Sequence, residues 1–264
     1  MLGFIGTGNM ASAIINSLVS SGMLKGNEIA VFDVAGEKAE ALKKKFDVAV
    51  FESENQIASQ CSQVVLSVKP NVFPSLLGKI SEDLKKNNPL IISIAAGKTI
   101  DYISSLLGFE AKIVRVMPNI NAVVYEAVSA YCKNKNVSDS DAEFAEKFCS
   151  SFGRAIALPE EQFPVFGVIG GCSPAFAYMF IDAMARAAVK NGMPKKQALE
   201  VSAQAVLGSA KMILESSEHP YELIDRVCSP GGTTIEGVLT LQNEGFEAAV
   251  ANAVQAAVEK DKKL

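Results

Sequence analysis

The sequence lacks the residues on which many active sites depend. It contains no tryptophan and a single histidine, His219, in a polar stretch next to Pro220. One histidine excludes metal sites built from several imidazoles and leaves Ser/His and Cys/His relays without support. The five cysteines show no CxxC spacing, so we expect reduced thiols, no metal ion and a cytoplasmic location.

Long apolar runs and basic blocks are also scarce. The longest apolar stretch, residues 174–189, is interrupted by Asp182 and Arg186 and is shorter than the ~20 apolar residues that cross a bilayer. The net charge is −4, whereas a nucleic-acid-binding domain would present a basic face. No charged leader with a cleavage site precedes the first apolar run. We therefore expect no nucleic-acid partner and no membrane partner.

The first part of the chain alternates short Val/Ile-rich runs with longer amphipathic runs. This alternation predicts a mainly parallel sheet with helical crossovers, in which the last strands, lacking long helices between them, pair antiparallel. The predicted strands are 2–6, 28–33, 48–51, 63–68, 90–95, 113–117, 127–132 and 155–158. The predicted helices are 9–21, 36–46, 55–60, 72–84, 100–107 and 139–151, the last capped by Ser138.

The strand-like alternation ends at Pro159. Ser173 followed by Pro174 is expected to cap and open a helix that Gly192 ends. Further helices are predicted from Met193-Pro194 to about residue 216, after Pro220 to about residue 228, and over 235–243 and 246–262. The 264 residues, 49% of them hydrophobic, therefore divide into an α/β domain over 1–160 and an all-α domain over 161–264.

The helix that begins at Pro174 carries its charges on one narrow stripe, Asp182, Arg186 and Lys190. A helix that is apolar on nearly all other sides must be buried on those sides. A domain of ~100 residues has difficulty covering such a helix alone. We therefore predict an intertwined homo-oligomer, with the central helix of a monomeric bundle as the alternative.

A glycine-rich turn follows the first predicted strand directly. The sequence Gly6-Thr7-Gly8-Asn9-Met10-Ala11 fits the GxGxxA pattern between a strand and a helix. Gly6 permits the tight turn, Gly8 lets a pyrophosphate approach the backbone N–H groups, and Ala11 lets the helix pack closely. The pattern predicts a dinucleotide site and a Rossmann-type domain, in which Gly6, Thr7, Gly8, Asn9 and Met10 contact the cofactor.

Asp33 ends the second predicted strand. A carboxylate at this place accepts hydrogen bonds from both ribose hydroxyls of NAD and repels the 2′-phosphate of NADP. Val34 stands where an NADP-binding arginine would sit, although Lys38 lies one helical turn further. The cofactor is thus NADH or NADPH, with Asp33 favouring NADH; the alternative is that Asp33 only caps the next helix.

Ligands of open α/β sheets bind at the carboxyl ends of the strands, so other strand ends join the predicted cofactor site. Lys69 precedes a proline, which holds its backbone extended. A structural role for this backbone therefore explains the Val-Lys-Pro sequence at least as well as a catalytic role for Lys69. The predicted contacts at these ends are Ser67, Val68, Lys69, Pro70, Ala95, Ala96 and Asn119.

A second turn, Cys228 to Thr234, carries two glycines and three hydroxyl side chains just before a predicted helix. Backbone N–H groups before a helix, with hydroxyl donors beside them, form an anion nest that fits a small carboxylate. The alternative is an ordinary helix–helix turn with capping Ser and Thr.

With these motifs in place, the sequence resembles the pyrroline-5-carboxylate reductases over nearly its whole length. The resemblance is most specific at residues 223–234, followed by Leu239 and Gln242. It also includes the N-terminal Ile-Gly-x-Gly-Asn-Met-Ala, the Ser-Val-Lys-Pro of residues 67–70, Ala95-Ala96-Gly97 and Val114-Arg115-Val116-Met117-Pro118-Asn119. Departures are Ile120 and Asn121 in place of Thr-Pro, and Gly170-Gly171-Cys172-Ser173 in place of Ser-Gly-Ser-Gly before Pro174.

The resemblance implies hydride transfer from NAD(P)H to the imine of 1-pyrroline-5-carboxylate, giving L-proline. By similarity, Thr234 is the catalytic residue, a hydrogen-bond donor that orients the ring nitrogen. Substrate contacts would come from Ser229, Gly231, Gly232, Thr233, Thr234 and Glu160, and Asn55 joins the predicted cofactor contacts. The helical domain would form a homodimer, with a higher oligomer of dimers as an extension.

Two other functions remain open from the sequence. A β-hydroxyacid dehydrogenase has the same two-domain plan but uses a lysine on the long central helix, where this chain has Lys190 only at the far end. A non-enzymatic dinucleotide-binding regulator would keep the Gly6/Gly8 turn without needing the turn before Thr234.

Overall fold

The computed structural model describes residues 1–261. Its strands in that range are β1 Leu2–Ile5, β2 Ile29–Phe32, β3 Ala49–Val50, β4 Gln63–Leu66, β5 Leu90–Ser93, β6 Lys112–Met117, β7 Ala127–Lys133 and β8 Gly153–Ala157. They form an 8-stranded sheet in the order β3-β2-β1-β4-β5-β6-β7-β8. Each strand overlaps a predicted apolar run, and the predicted Rossmann-type α/β domain is confirmed.

The helices between these strands also follow the sequence pattern. They are α1 Asn9–Ser20, α2 Gly36–Phe46, α3 Glu54–Gln60, α4 Phe73–Asn87, α5 Ile100–Leu107 and α6 Asp139–Ser150. Ser138 caps α6 as predicted, because its hydroxyl oxygen accepts a hydrogen bond from the Asp141 N–H at 3.1 Å.

The prediction that the last strands pair antiparallel is correct for one pair and wrong for the other. β6 and β7 are antiparallel, since only a short 3₁₀ segment joins them, Ile120–Val124. β7 and β8 are parallel because α6 returns the chain to the edge at which β7 began.

Alternate residues of the central strands supply two hydrophobic layers. Phe4 and Val65 belong to one layer, together with the buried faces of α1 and α2. Ile5, Val64 and Leu66 belong to the other, against α3, α4 and α5. A parallel sheet covered by helices on both faces binds ligands at the carboxyl ends of its strands, next to the point where the strand order reverses. Here that point lies between β1 and β4.

The remaining helices are α7 Phe163–Phe166, α8 Ser173–Lys190, α9 Lys195–Glu215, α10 Pro220–Val227, α11 Thr233–Asn243 and α12 Phe246–Asp261. Helices α8 to α12 match the predicted helices in order, whereas the four-residue α7 was not predicted, since a single turn shows no helical periodicity. The predicted end of the last helix, residue 262, lies outside the described residues. The prediction that Ser173 caps a new helix is wrong. A π-helical turn, Gly167–Cys172, already precedes it, so no free helix start exists there.

The chain forms two compact units, and the first ends at Gly171. The predicted division after residue 160 stays a prediction, since residues 160–171 group with the sheet. By length and apolar composition alone, the helical run Glu160–Lys190 would suffice to cross a membrane.

The second unit buries little of its apolar surface. The 21 residues of α9 bury only Ala198 and Ser202, while many of its large apolar side chains are exposed. Those in α9 are Leu199, Val201, Leu207, Met212, Ile213 and Leu214. Exposed apolar surface on this scale marks an interaction site.

Candidate functional site

The glycine turn lies where β1 feeds α1, beside the point at which the strand order reverses. Gly6 has a φ of +98°, and a Cβ there would lie 2.8 Å from the carbonyl oxygen of Ser67. Around Gly8, by contrast, an added Cβ would meet nothing within 4 Å. Gly8 is also the residue before α1 and offers no side chain as a cap. The first N–H groups of α1 are thus open to an anion, which the positive end of a helix attracts.

Asp33 and Thr7 hold this turn in place. One carboxylate oxygen of Asp33 accepts hydrogen bonds from the Thr7 N–H at 2.6 Å and from the Thr7 hydroxyl at 2.9 Å. The other accepts from the Ala35 N–H at 2.9 Å. Burial raises the pKa of Asp33, but these hydrogen bonds and the charge of Lys38 outweigh it, so the pKa is lowered below its usual value. The carboxylate is charged at neutral pH.

Two other predicted cofactor contacts use their side chains within the protein. The Ser67 hydroxyl lies 2.9 Å from the Ile5 carbonyl oxygen and 2.7 Å from that of Gly6. The Asn55 amide donates to Asp83 at 2.6 Å and joins α3 to α4. Both side chains therefore have partners inside the protein, and direct contacts between them and a cofactor remain predictions.

A cavity of about 330 Å³ adjoins Asp33. Its walls are mostly apolar, and they include Val34, Val68 and Leu76. Glu54 and Lys79 form an ion pair of 2.7 Å at the same cavity. Such a slot suits a flat base beside the pyrophosphate turn. The sequence analysis did not identify Leu76 and Lys79 as lining residues, because no motif marks them.

The carboxyl ends of β4, β5 and β6 meet at the same edge of the sheet, because these strands are parallel. Lys69 is exposed and has the extended backbone expected before a proline, with φ −61° and ψ 144°. Asn119 is 5% exposed, and its amide nitrogen donates to the Gly170 carbonyl oxygen at 2.9 Å. The sheet therefore brings Val68, Lys69, Pro70, Ala95, Ala96 and Asn119 to the edge that carries the glycine turn.

The second predicted turn lies in the second unit. Gly231 has a φ of +67°, and the Gly232 N–H donates to the Ser229 carbonyl oxygen at 3.0 Å. Thr233 and Thr234 form the first turn of α11 rather than part of the bend. Thr234 lines a cavity of about 550 Å³ with residues of α9 and α10. Thr234 thus lies both in the first turn of α11 and on the wall of this cavity.

Glu160 has two partners inside the first unit. Its Oε1 accepts hydrogen bonds from the Ile100 N–H at 2.9 Å and from the Arg115 guanidinium at 2.8 Å. The Arg115 side chain is buried and stacks over the Phe163 ring at 4.5 Å. Glu160 therefore links the start of α5 to the strand β6, and its contact with the substrate remains a prediction.

Cysteine and metal chemistry find little support. The five cysteines are free thiols. Burial raises the pKa of Cys61 to about 11 and that of Cys132 to about 12, so both thiols are poor nucleophiles at neutral pH. Across residues 1–261, no group of three or more metal-ligating side chains comes together.

The glycine turn at the strand-order reversal, its adjoining slot and the separate helical unit define a dinucleotide-binding oxidoreductase. Residues 1–97 match the family model described as NADP oxidoreductase, coenzyme F420-dependent. Residues 160–264 match the model for pyrroline-5-carboxylate reductase dimerisation. The chain is 43% identical over 264 residues to the pyrroline-5-carboxylate reductase of Escherichia coli (strain K12), covering 100% of this chain and 97% of that one. The protein belongs to the pyrroline-5-carboxylate reductase family.

Solved structures agree with this assignment. A pyrroline-5-carboxylate reductase from Coxiella burnetii superposes with a TM-score of 0.93 at 31% identity, covering 99% of this chain and 97% of that one. The Plasmodium falciparum pyrroline carboxylate reductase with NADP bound has a TM-score of 0.87 at 33% identity, with the same coverage. Prephenate dehydrogenase from Aquifex aeolicus, at 16% identity and a TM-score of 0.54, shares only the fold.

Proposed function

We propose that this protein reduces 1-pyrroline-5-carboxylate to L-proline with NADH or NADPH, the last step of proline biosynthesis. The observation that carries the proposal is similarity to pyrroline-5-carboxylate reductases over the whole chain, including both the glycine turn and the turn before Thr234. A β-hydroxyacid dehydrogenase or a regulator would share the first of these turns without needing the second.

The nicotinamide cofactor supplies a hydride when bound. The open N–H groups at the start of α1 are suited to its pyrophosphate. After the end of β6, Asn119 Oδ1 is a buried acceptor without a partner, and it supports the binding of a ligand that has a hydrogen-bond donor. Asp33 and Ser67 keep the turn in the shape that this contact requires. The residues proposed to contact the pyrophosphate are Gly6, Thr7, Gly8, Asn9 and Met10.

The turn from Ser229 to Thr234 is proposed to hold the substrate carboxylate with the Ser229 hydroxyl and the backbone at Gly231, Gly232 and Thr233. Since the Gly232 N–H already donates to Ser229, the neighbouring N–H groups carry most of this contact. The Thr234 hydroxyl orients the ring nitrogen. A cyclic imine is partly protonated near neutral pH and is then a strong electrophile, so proximity and orientation suffice.

Glu160 is proposed to reach the substrate as well. Within residues 1–261, the two hydrogen bonds of the Glu160 side chain both use Oε1, and a carboxylate has further acceptor positions on its second oxygen. The hydrogen bond from the Arg115 guanidinium to Oε1 fixes the orientation of the carboxylate and therefore the position of Oε2.

The exposed apolar face of the second unit supports a homodimer formed through the helical domain, with a higher oligomer of dimers as its extension. A partner copy would bury Leu207, Met212 and their neighbours. We place the protein in the cytoplasm, with no nucleic-acid partner, on the basis of its acidic charge and free thiols.

A spectrophotometric assay tests the function. We expect loss of NADH or NADPH absorbance with 1-pyrroline-5-carboxylate and none with a panel of β-hydroxy-acid and β-keto-acid pairs. Turnover with the hydroxy acids alone would support the dehydrogenase, and dinucleotide binding without turnover would support the regulator. The ratio of kcat/KM for NADH and NADPH tests whether Asp33 favours NADH.

A further inference from the structure

Asn119 carries a buried acceptor with no partner inside the chain. In the part of the chain that the structure describes, two buried side-chain atoms lack a hydrogen bond, Asn119 Oδ1 and Ser129 Oγ. A buried polar atom without a partner is costly, so native proteins keep few of them. Ser129 lies within β7, and its hydroxyl can rotate. The Asn119 amide cannot turn freely, because its nitrogen donates to the Gly170 carbonyl oxygen at 2.9 Å.

The place of Asn119 in the sheet restricts what this acceptor can meet. It follows the carboxyl end of β6, the strand beside β5. Asp33 directly follows β2, on the other side of the glycine turn. A dinucleotide with its pyrophosphate at that turn extends one half towards β2 and the other towards β4 and β5. With the adenosine half beside Asp33, the nicotinamide half lies on the side of Asn119.

The segment that holds Asn119 is unusual. Gly170 belongs to the π-helical turn Gly167–Cys172, and such turns occur frequently at functional sites. A Cβ on Gly167 would lie 2.6 Å from the Met117 methyl group, so this turn packs tightly on the end of β6. The side-chain amide is therefore fixed by two rigid elements of one unit before any ligand binds.

We propose that Asn119 Oδ1 accepts a hydrogen bond from the carboxamide N–H of the nicotinamide ring and positions that ring for hydride transfer. This rests on the proposed function, which supplies the nicotinamide. The carboxamide presents N–H donors, and the atom it meets is an acceptor whose direction is set by Gly170. The protonated imine of the substrate carries a competing N–H donor, but the proposed site places that ring nitrogen at the Thr234 hydroxyl in the second unit.

The 3-acetylpyridine analogue of the cofactor tests this directly, because it replaces the carboxamide with an acetyl group and has no N–H there. Calorimetry without substrate would give Kd values for NAD⁺ or NADP⁺, whichever the protein binds more tightly, and for the matching analogue. Wild type should bind the analogue about tenfold more weakly, the equivalent of about 1.4 kcal/mol. In Asn119→Ala, the affinity for the natural cofactor should fall about tenfold and the affinity for the analogue should hardly change.

ADP-ribose, or its 2′-phosphate, keeps the turn-binding half and lacks the nicotinamide, so it controls for folding. Asn119→Ala should bind it as wild type does. A comparable loss for this half-ligand would mean that Asn119 only supports the fold, and equal losses for cofactor and analogue would also overturn the proposal. Unchanged cofactor affinity with a raised KM for pyrroline-5-carboxylate would instead assign the acceptor to the substrate. If wild type binds neither dinucleotide, the proposed function itself has failed.

Discussion

Asp33 lies at the end of one strand and holds Thr7, at the end of another, through two hydrogen bonds to a single carboxylate oxygen. The residue predicted to recognise the cofactor ribose is therefore also the support of the pyrophosphate turn. Three hydrogen bonds from Thr7 and Ala35 leave about one of its four acceptor positions for a ligand. Its charge stays beside that position and can still repel a 2′-phosphate.

Replacing Asp33 should separate these two roles. Asp33→Asn has one acceptor oxygen instead of two and must break at least one of the three hydrogen bonds. We expect KM for the dinucleotide to rise about tenfold, the equivalent of about 1.4 kcal/mol, with kcat less affected. If the charge also rejects the 2′-phosphate, the kcat/KM ratio of NADPH to NADH should rise.

Thr7→Val is the matched control. It removes the hydroxyl bond at 2.9 Å and leaves both the backbone bond and the Asp33 charge. The affinities for NADH and NADPH should fall by the same factor. A change in the cofactor ratio in Thr7→Val would contradict the assignment of that ratio to charge.

The lowered pKa of Asp33 predicts how stability depends on pH. A carboxylate whose folded-state pKa lies below its unfolded value of 3.8 stabilises the fold above that value. This contribution is lost as the pH falls through the folded-state pKa. Thermal melts should therefore show wild type more stable than Asp33→Asn at pH 7, and the two Tm values should converge in strong acid. A constant difference down to pH 2 would show that the charge is not involved.

Removing the charge of Glu160 should affect stability through Arg115. Losing one partner of a buried ion pair costs about 3–5 kcal/mol, but the Glu160 side chain is 26% exposed, so we expect about 1–3 kcal/mol for Glu160→Gln. Denaturant unfolding measures this loss. Steady-state kinetics on the folded variant would then reveal the substrate contact as a raised KM. A double variant with Arg115→Met should recover part of the stability, since it no longer leaves a guanidinium unpaired.

Thr234→Ala should lower kcat/KM by the equivalent of about 1–3 kcal/mol, as expected for a lost hydrogen bond to a charged group. Thr234→Ser keeps the hydroxyl and should restore most of the activity. A loss of many orders of magnitude would indicate that Thr234 moves a proton and does more than orient the ring.

Charge on the apolar face of the second unit should prevent dimerisation. Leu207 is 57% exposed in the single chain, and Leu207→Glu would bury a carboxylate in any interface formed there. Size-exclusion chromatography with light scattering should show a monomer that still binds dinucleotide and has little turnover. Gln204→Glu, an added charge at a position that is already polar and exposed, is the control. Little turnover is expected because the family resemblance implies that the turn before Thr234 lies near the partner subunit. A fully active Leu207→Glu monomer would contradict such a shared site.

The sequence by itself determined the succession of the strands and of the longer helices along the chain, because hydrophobic periodicity and glycine turns depend on a few neighbouring residues. It also located the turn of Gly6 and Gly8, whose residue types are required by local geometry. It could not show that Asp33 points at Thr7, that Glu160 bonds to Arg115, or that Asn119 is held by Gly170. Those pairs are separated by 26, 45 and 51 residues, and only packing brings them together. The same holds for Ser173, a good capping residue that does not begin a new helix, because the turn before it is already helical. Local propensity can propose a helix start, but the tertiary structure decides whether the preceding residues leave one open.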